Sequence, residues 1–527
     1  MDEILTEDLN GQRIGKFGVA IALVLFSILT SLGRVYTRGE PLERDIATYA
    51  VIAHEMLCGQ RLYTDVWDQK PPAIYMVYAA AELIAGYGPG SVLLLNIAAS
   101  LITLAGVYRT ATLAQMGRVS GLLAAGLWSI VSLNLPLQAN QPNSEVFINA
   151  CMIWVFVIFL GAEEQPIGYS KALWVGALAA AATLFKHTIF LPFATLSIVY
   201  VIGTAQAKQL RAKRFVSVFV AFCVIVFCWL TVGGYFAAGG RFRDFYDAVF
   251  RYNISYAGNP LKSLLYSLWP KRVVFLFIAV LPSGLAIGAH FAGRLRRQVQ
   301  PFMLMIGFSI GVHLAVASTN WWFPHYFQLW LPALCVSLGW SYVLLGDMFG
   351  ETRLRRLLPG IVVGVIVLPI LVNQLLMYRL TPEQWATRKY SPCMADYVQQ
   401  AEEINKILKP QEAFYHFGRE PGLYFVTKRR PPTGVLLYYH LYRGPLAESL
   451  SERVVSDLER SKPDMLVVCE DIDIDMSWSP RWWKGPVSRW LMQNYRRLPG
   501  NEKRRCYNLF ARKGSDLERR IFGVQSR

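Results

Sequence analysis

The stretch "PLERDIATYAVIAHEMLCGQRLYTDVWDQKPP", residues 41–72, comes directly after an apolar run, Phe17 to Gly33, that is fenced by Lys16 and Arg34. A helix of about 20 apolar residues crosses a bilayer, and ~17 suffice, so the chain crosses first and then places a charged, amphipathic segment at the surface. Within that segment Ile46, Tyr49, Ala50, Ala53 and Leu57 fall on one helical face, which suits a helix lying in the interfacial plane. Asp45 stands at its start. A carboxylate there caps free N–H groups and complements the helix dipole, and the same position fixes it in space as an ionised base; the two readings are compatible. Arg61, Asp65, Asp68 and Lys70 add charge to the loop that follows.

The composition agrees with a membrane chain. Of 527 residues 54% are apolar, and the mean hydropathy is positive, outside the usual range of soluble globular proteins. The formal charge of +17 is dispersed between apolar runs, with no polybasic arm, so no nucleic-acid partner is expected and lipid phosphate is the matching anion. The N-terminal "MDEILTEDLNGQRIGK" lacks a basic n-region and a cleavage site, so the first run is expected to stay as a span. Cys151, Cys223, Cys228 and Cys335 fall in apolar runs, and Cys58, Cys393, Cys469 and Cys506 have no zinc spacing. A Cys469 to Cys506 disulfide stays open if that part of the chain faces an oxidising compartment.

Further uncharged runs cover roughly 91–107, 119–137, 146–162, 172–185, 188–207, 215–235, 273–289, 301–319, 326–346 and 357–378, which with the first gives eleven candidate spans. Ala73 to Ala85 is too short and carries Glu82. With that run kept on the outer surface as a juxtamembrane or re-entrant helix, and the N-terminus cytoplasmic, the basic loops "YRTATLAQMGR", "AKQLRAKR", "GRLRRQ" and "GDMFGETRLRR" all face the cytoplasm. The opposite side then receives 34–90, "NLPLQANQPNSE", the turn at Lys186 and His187, 236–271, "TNWWFPH" and everything after Tyr378. In the tail, "MADYVQQAEEINKIL" and "LAESLSERVVSDLER" have helical period, while "AFYHFG", "MLVVCE" and "RRCYNLFARK" read as strands. The expected fold is a polytopic α-helical membrane domain, 1–378, with outer juxtamembrane helices and a small extracytoplasmic α/β domain, 379–527, without a GxGxxG or Walker loop.

Several outer residues carry possible chemistry, each beside a plain structural role. Glu145 in "QPNSEVF" is a second acid or a helix cap. Lys186 and His187 bind phosphate or snorkel from helix ends. His325 and Tyr326 in "WWFPHYFQ" line a donor site or belong to an interfacial aromatic belt; His313, inside a span, reads as a packing histidine. Arg241, Arg243, Arg251, Lys262, Lys271 and Arg272 make the 236–272 region basic, as a phosphate cover or a solvated face.

Asp45, Tyr49, Ala53, Met56, Gly59, Tyr63, Asp65, Trp67, Asp68, Lys70, Pro71 and Pro72 match the pattern D-x-x-x-Y-x-x-x-A-x-x-[ML]-x-x-G-x-x-[PL]-Y-x-D-x-W-D-x-K-P-P. In this the chain resembles the GT-C membrane glycosyltransferases of the protein O-mannosyltransferase and lipid A aminoarabinose transferase superfamily, bacterial branch; "HFGREPGLYFVTKRRPPT" in the tail looks like the outer domain of such relatives. The resemblance implies transfer of a sugar from a polyprenyl-phosphate-linked donor to a glycan, lipid or protein acceptor at the outer face of the bacterial cytoplasmic membrane, with inversion. It implies Asp45 as general base and Glu145 as a further acid. Lys70, Lys186, His187 and His325 would meet the donor phosphate, and Arg44, Asp68 and Tyr326 the substrates. Some relatives use a divalent metal, but Gln69 stands where a carboxylate can occur and no ligand set is spaced for a metal, so no metal residues are assigned. The alternatives are a transporter or lipid flippase, which calls for ionisable groups near mid-span, and an envelope scaffold.

Overall fold

The computed structural model describes residues 15–162, 165–203, 208–257, 259–293, 299–348, 353–469, 485–499 and 506–523. The acidic N-terminal segment, most of the basic loop at 293–298 and parts of the loops at 204–207 and 349–352 lie outside them, as do the side chains of Lys271 and Arg272. Two compact units are present. The first comprises the chain up to Thr37, Leu93–Tyr235 and Ala257–Arg379; the second comprises Arg38–Val92, Phe236–Tyr256 and the chain from Leu380 onward.

Each apolar run read from the sequence contains a helix. Among the described residues seven helices are long and apolar enough to cross a membrane: Lys16–Thr37, Pro89–Thr112, Lys208–Ala238, Val273–Phe291, Gln300–Ala317, Pro324–Met348 and Leu357–Tyr378. Gly117–Val131, Ser144–Leu160, Tyr169–Phe185 and His187–Ile202 are shorter apolar helices, and Ala73–Ala85 is a separate short helix of the second unit. Small residues let these backbones close together, since apolar side chains gain little from meeting each other rather than lipid. A Cβ on Gly311 would stand 2.3 Å from Pro192 Cα, and one on Gly176 would stand 2.6 Å from Ala221 O. The buried Arg34 is neutralised by dipoles: its guanidinium donates to Asn96 Oδ1 at 2.9 Å and to the carbonyls of Thr30 and Ser132 at 3.0 Å.

The second unit carries a mixed four-stranded sheet in the order β1-β2-β4-β3, from β1 (Phe414–Phe417), β2 (Met465–Cys469), β3 (Tyr495–Arg497) and β4 (Tyr507–Arg512). β1 pairs parallel with β2, and β4 pairs antiparallel with both β2 and β3. The expected helices and strands of the tail are present; β3 was not read, because its exposed Arg496 and Arg497 give no apolar alternation. The cysteine pairing is also corrected. Cys506 is bonded to Cys393, with Cα atoms 5.0 Å apart, whereas Cys469 lies buried on β2 opposite Tyr507. The reason is position: Cys393 starts the helix Pro392–Ile407, and its carbonyl accepts the Tyr507 hydroxyl at 2.7 Å, which brings Cys506 beside it.

Tail and first loop build the second unit together. A Cβ on Gly434 would lie 1.8 Å from Asp65 O, so only glycine allows the approach in which Trp67 N–H donates to Gly434 O at 3.0 Å. Arg453 donates to Asp65 O at 2.5 Å, and Lys389 pairs with Glu40 at 2.6 Å, both buried.

Candidate active site

The helix Arg44–Leu57 begins two residues earlier than a cap at Asp45 would require. Its cap is Glu43, whose Oε2 accepts Asp45 N–H at 2.7 Å. Asp45 is therefore a first-turn residue and its carboxylate is not used up as the cap. That side chain is partly exposed, with Arg44 Nε 3.6 Å from it. Glu43, in contrast, is buried, and burial together with the Asp45 charge pushes its carboxyl up to about 8.

The loop that follows is shaped by its own polar groups. Arg61 donates to both oxygens of Asp65, from Nε at 2.9 Å and Nη2 at 3.1 Å, so Asp65 closes the turn. Tyr63, at φ 69, sends its hydroxyl to Lys70 O at 2.8 Å. Asp68 is buried and accepts the Tyr75 hydroxyl at 2.6 Å and Gln69 N–H at 2.8 Å. Burial pushes its carboxyl up to about 6, against the pull of Tyr75 and the Lys70 charge. His440 from the tail places Nε2 3.9 Å from Asp68, and its Nδ1 accepts the Tyr252 hydroxyl at 2.8 Å. Burial first, then the Arg44 charge, hold this imidazole down at about 3, so it is neutral. Lys70 is half-buried, and among the described residues no carboxylate lies within salt-bridge distance of its ammonium.

In the first unit the fully buried Glu145, in the first turn of Ser144–Leu160, accepts Lys186 Nζ at 3.0 Å and the Ser144 hydroxyl at 3.2 Å. The same ammonium lies 3.5 Å from the Tyr326 ring centroid. Lys186 is extended, at φ −158, because the helix Tyr169–Phe185 ends there and His187 opens a short 3₁₀ turn. His325 is buried with Nδ1 3.1 Å from Gln138 Oε1. Glu145, Lys186 and Tyr326 are thus brought together in one unit, and Arg44, Asp45, Asp68 and Lys70 occupy the other. Among the described residues no three His, Cys, Asp or Glu side chains converge as ligands for a metal ion.

Residues 69–231 match the model of the dolichyl-phosphate-mannose-protein mannosyltransferase family. The fold is similar to that of ArnT from Cupriavidus metallidurans bound to undecaprenyl phosphate, at 15% identity, covering 95% of this chain and 99% of that one with a TM-score of 0.54. It is also similar to the archaeal oligosaccharyltransferase AglB from Archaeoglobus fulgidus in complex with an inhibitory peptide and a dolichol-phosphate, at 12% identity, covering 96% and 75% with a TM-score of 0.52. The chain thus shares its fold with both proteins, and part of it matches that family's model. No curated protein sequence matches it.

The family match covers Lys70, Glu145, Lys186 and His187 and leaves Asp45 and His325 outside. Sequence reasoning missed Glu43, His440, Tyr252 and Tyr439 around Asp45 and Asp68. Glu43 was visible as a carboxylate two residues before Asp45. The other three come from segments far away in sequence, and only the run "YYHLYR", dense in polar aromatics, hinted at a site.

Proposed function

We propose that this multi-pass membrane protein transfers a sugar from a polyprenyl-phosphate-linked donor to an envelope acceptor at the outer face of the bacterial cytoplasmic membrane. The observation that carries the reading is the Asp45 carboxylate, in the first turn of a helix that Glu43 caps and partly exposed beside Arg44. The acceptor hydroxyl attacks the anomeric carbon, its proton passes to Asp45, and the bond from that carbon to the phosphate oxygen breaks. The electron pair leaves on the polyprenyl phosphate. Lys70, a half-buried cation in the same unit as Asp45, meets that growing negative charge; Lys186, steadied by Glu145 and Tyr326, is the buried cation of the first unit. His187 and His325 are assigned to the donor phosphate as hydrogen-bond donors, and Arg44 and Asp68 to the walls of the substrate site. One direct displacement inverts the anomeric centre. The lipids bound in the two similar structures, undecaprenyl phosphate and dolichol-phosphate, support the donor class. The Cys393–Cys506 disulfide supports an oxidising compartment for the tail.

The test is transfer by the full-length enzyme in nanodiscs from a polyprenyl-phosphate sugar, with Asp45→Asn beside wild type and the product's anomeric configuration read by NMR. Transfer retained in Asp45→Asn removes the base; a retained configuration removes the single displacement.

A further inference from the structure

The identity of the acceptor remains to be derived from what surrounds Asp45 within the second unit. Tyr439 lies with Arg44 Cζ 5.7 Å from its ring centroid. Tyr438 meets it edge-on, with centroids 6.3 Å apart, and Tyr442 lies 6.3 Å from Tyr438. Tyr256 enters from the 236–256 segment, where a single π turn, Asp247–Arg251, precedes it, and it stacks on Tyr252 at 6.3 Å. These four tyrosines and Arg443 are half-exposed. Burial and the Asp45 charge hold the Tyr256 and Tyr439 phenols above the ordinary tyrosine range, so both keep their protons. Among the described residues the Tyr439 hydroxyl has no hydrogen-bond partner.

A base such as Asp45 serves any alcohol: a serine or threonine, a lipid hydroxyl or a sugar. The surroundings discriminate. A peptide is commonly held by strand addition to a sheet edge. Here one edge, β1, is buried at every position and the other, β3, has three residues. A lipid tail needs an aliphatic groove, whereas the side chains that interact with Arg44 and Asp45 include the Tyr256 and Tyr439 phenols, the Glu43 carboxyl and the His440 imidazole, all polar. A pyranose presents an apolar C–H face and a rim of hydroxyls, and tyrosines match both with a flat ring and a polar tip at small entropic cost.

We propose that the acceptor is a carbohydrate, seated on a tyrosine shelf of Tyr256, Tyr438, Tyr439 and Tyr442 with Arg443 at its rim, one hydroxyl turned to Asp45. The assignment rests on the transfer reading above and deepens it.

Membranes of a strain lacking the gene, loaded with labelled sugar on their own polyprenyl phosphate, are mixed with the purified full-length enzyme, and the labelled product is identified by mass spectrometry. The label is expected on a glycan hydroxyl. Label on serine or threonine of a protein, or on a lipid hydroxyl, overturns the shelf while leaving the transfer reading intact; no transfer by wild type overturns both. With the labelled glycan then titrated, Tyr439→Leu and Tyr256→Leu should each raise acceptor KM by roughly tenfold, with donor KM and thermal midpoint unchanged. Tyr439→Phe should recover most of the stacking and lose only the hydroxyl contact. An unchanged acceptor KM in the double Leu variant overturns the shelf.

Discussion

Asp45 and Glu145 each occupy the first turn of a helix, capped by Glu43 and Asn143 respectively, yet they live in contrasting surroundings. Asp45 is partly exposed beside the longer contact to Arg44 at 3.6 Å; Glu145 is sealed, with its side chain wholly out of solvent and Lys186 at 3.0 Å. The first arrangement leaves a carboxylate that can exchange a proton with a substrate. The second locks a carboxylate to a cation, and on the proposed reading Glu145 then acts by positioning Lys186. Similar placement along a helix therefore does not decide role; desolvation and pairing do.

The sharpest way to break this contrast is to remove each acid in turn. Asp45→Asn should lower transfer by roughly 10² to 10⁴-fold with little change in thermal midpoint, since the amide keeps the volume and Glu43 still caps the helix. Glu145→Gln should act the other way round. It leaves Lys186 charged and buried, which costs about 3–5 kcal/mol when one partner of such a pair is lost, and the loss should show first as a lower melting temperature. Glu145→Gln combined with Lys186→Met should restore much of that stability without restoring donor binding. If Glu145→Gln keeps its melting temperature and loses only turnover, the positioning role is wrong and the acid works directly.

The two regions also differ in how far they could be read from sequence. The helix Arg44–Leu57 and the short helix Ala73–Ala85 were legible because their periodicity and length are local properties. So were the apolar runs of the first unit, since bilayer thickness sets one length scale for all of them. The cap was misplaced by two residues because Glu is a less common cap than Asp, and only the extended backbone at Glu43, ψ 149, decides it. The Glu145–Lys186 pair joins residues 41 positions apart, and the Tyr252–His440 contact beside Asp68 joins residues 188 positions apart. No local pattern encodes such contacts. The disulfide failed for the same reason: Cys393 and Cys506 are 113 residues apart, and strand order, which brings Tyr507 to Cys393, is a tertiary fact.

Lys70 sharpens the contrast from the cationic side, because unlike Lys186 it has no carboxylate within ion-pair distance among the described residues. Removing it strands no charge. Lys70→Ala should leave the melting temperature near wild type and raise donor KM by roughly 10- to 100-fold, the worth of about 1.5–3 kcal/mol for a hydrogen bond to a charged group. Lys70→Arg should fall between. Comparable donor kinetics in all three proteins would take Lys70 away from the phosphate.

The smallest expected effect concerns Glu43, the buried neighbour that caps the helix in place of Asp45. Its carboxyl is pushed from an ordinary 4.5 up to about 8, first by burial and then by the Asp45 charge. Between those values the unfolded chain has released this proton while the folded chain still holds it. The folded state then binds more protons, so stability falls as pH rises through the window. The contribution is complete below the ordinary value and gone above the raised one. Asp68, pushed from 3.8 up to about 6, adds a slope of the same sign lower down. Glu43→Gln can still accept Asp45 N–H through its amide oxygen but has no proton to lose. Its melting temperature should vary less across the window than that of wild type, and should exceed it at the alkaline end. A wild type that gains stability on going from pH 4.5 to 8, or a variant with an unchanged slope, would mean that Glu43 is ionised and that Asp45 works beside a second negative charge.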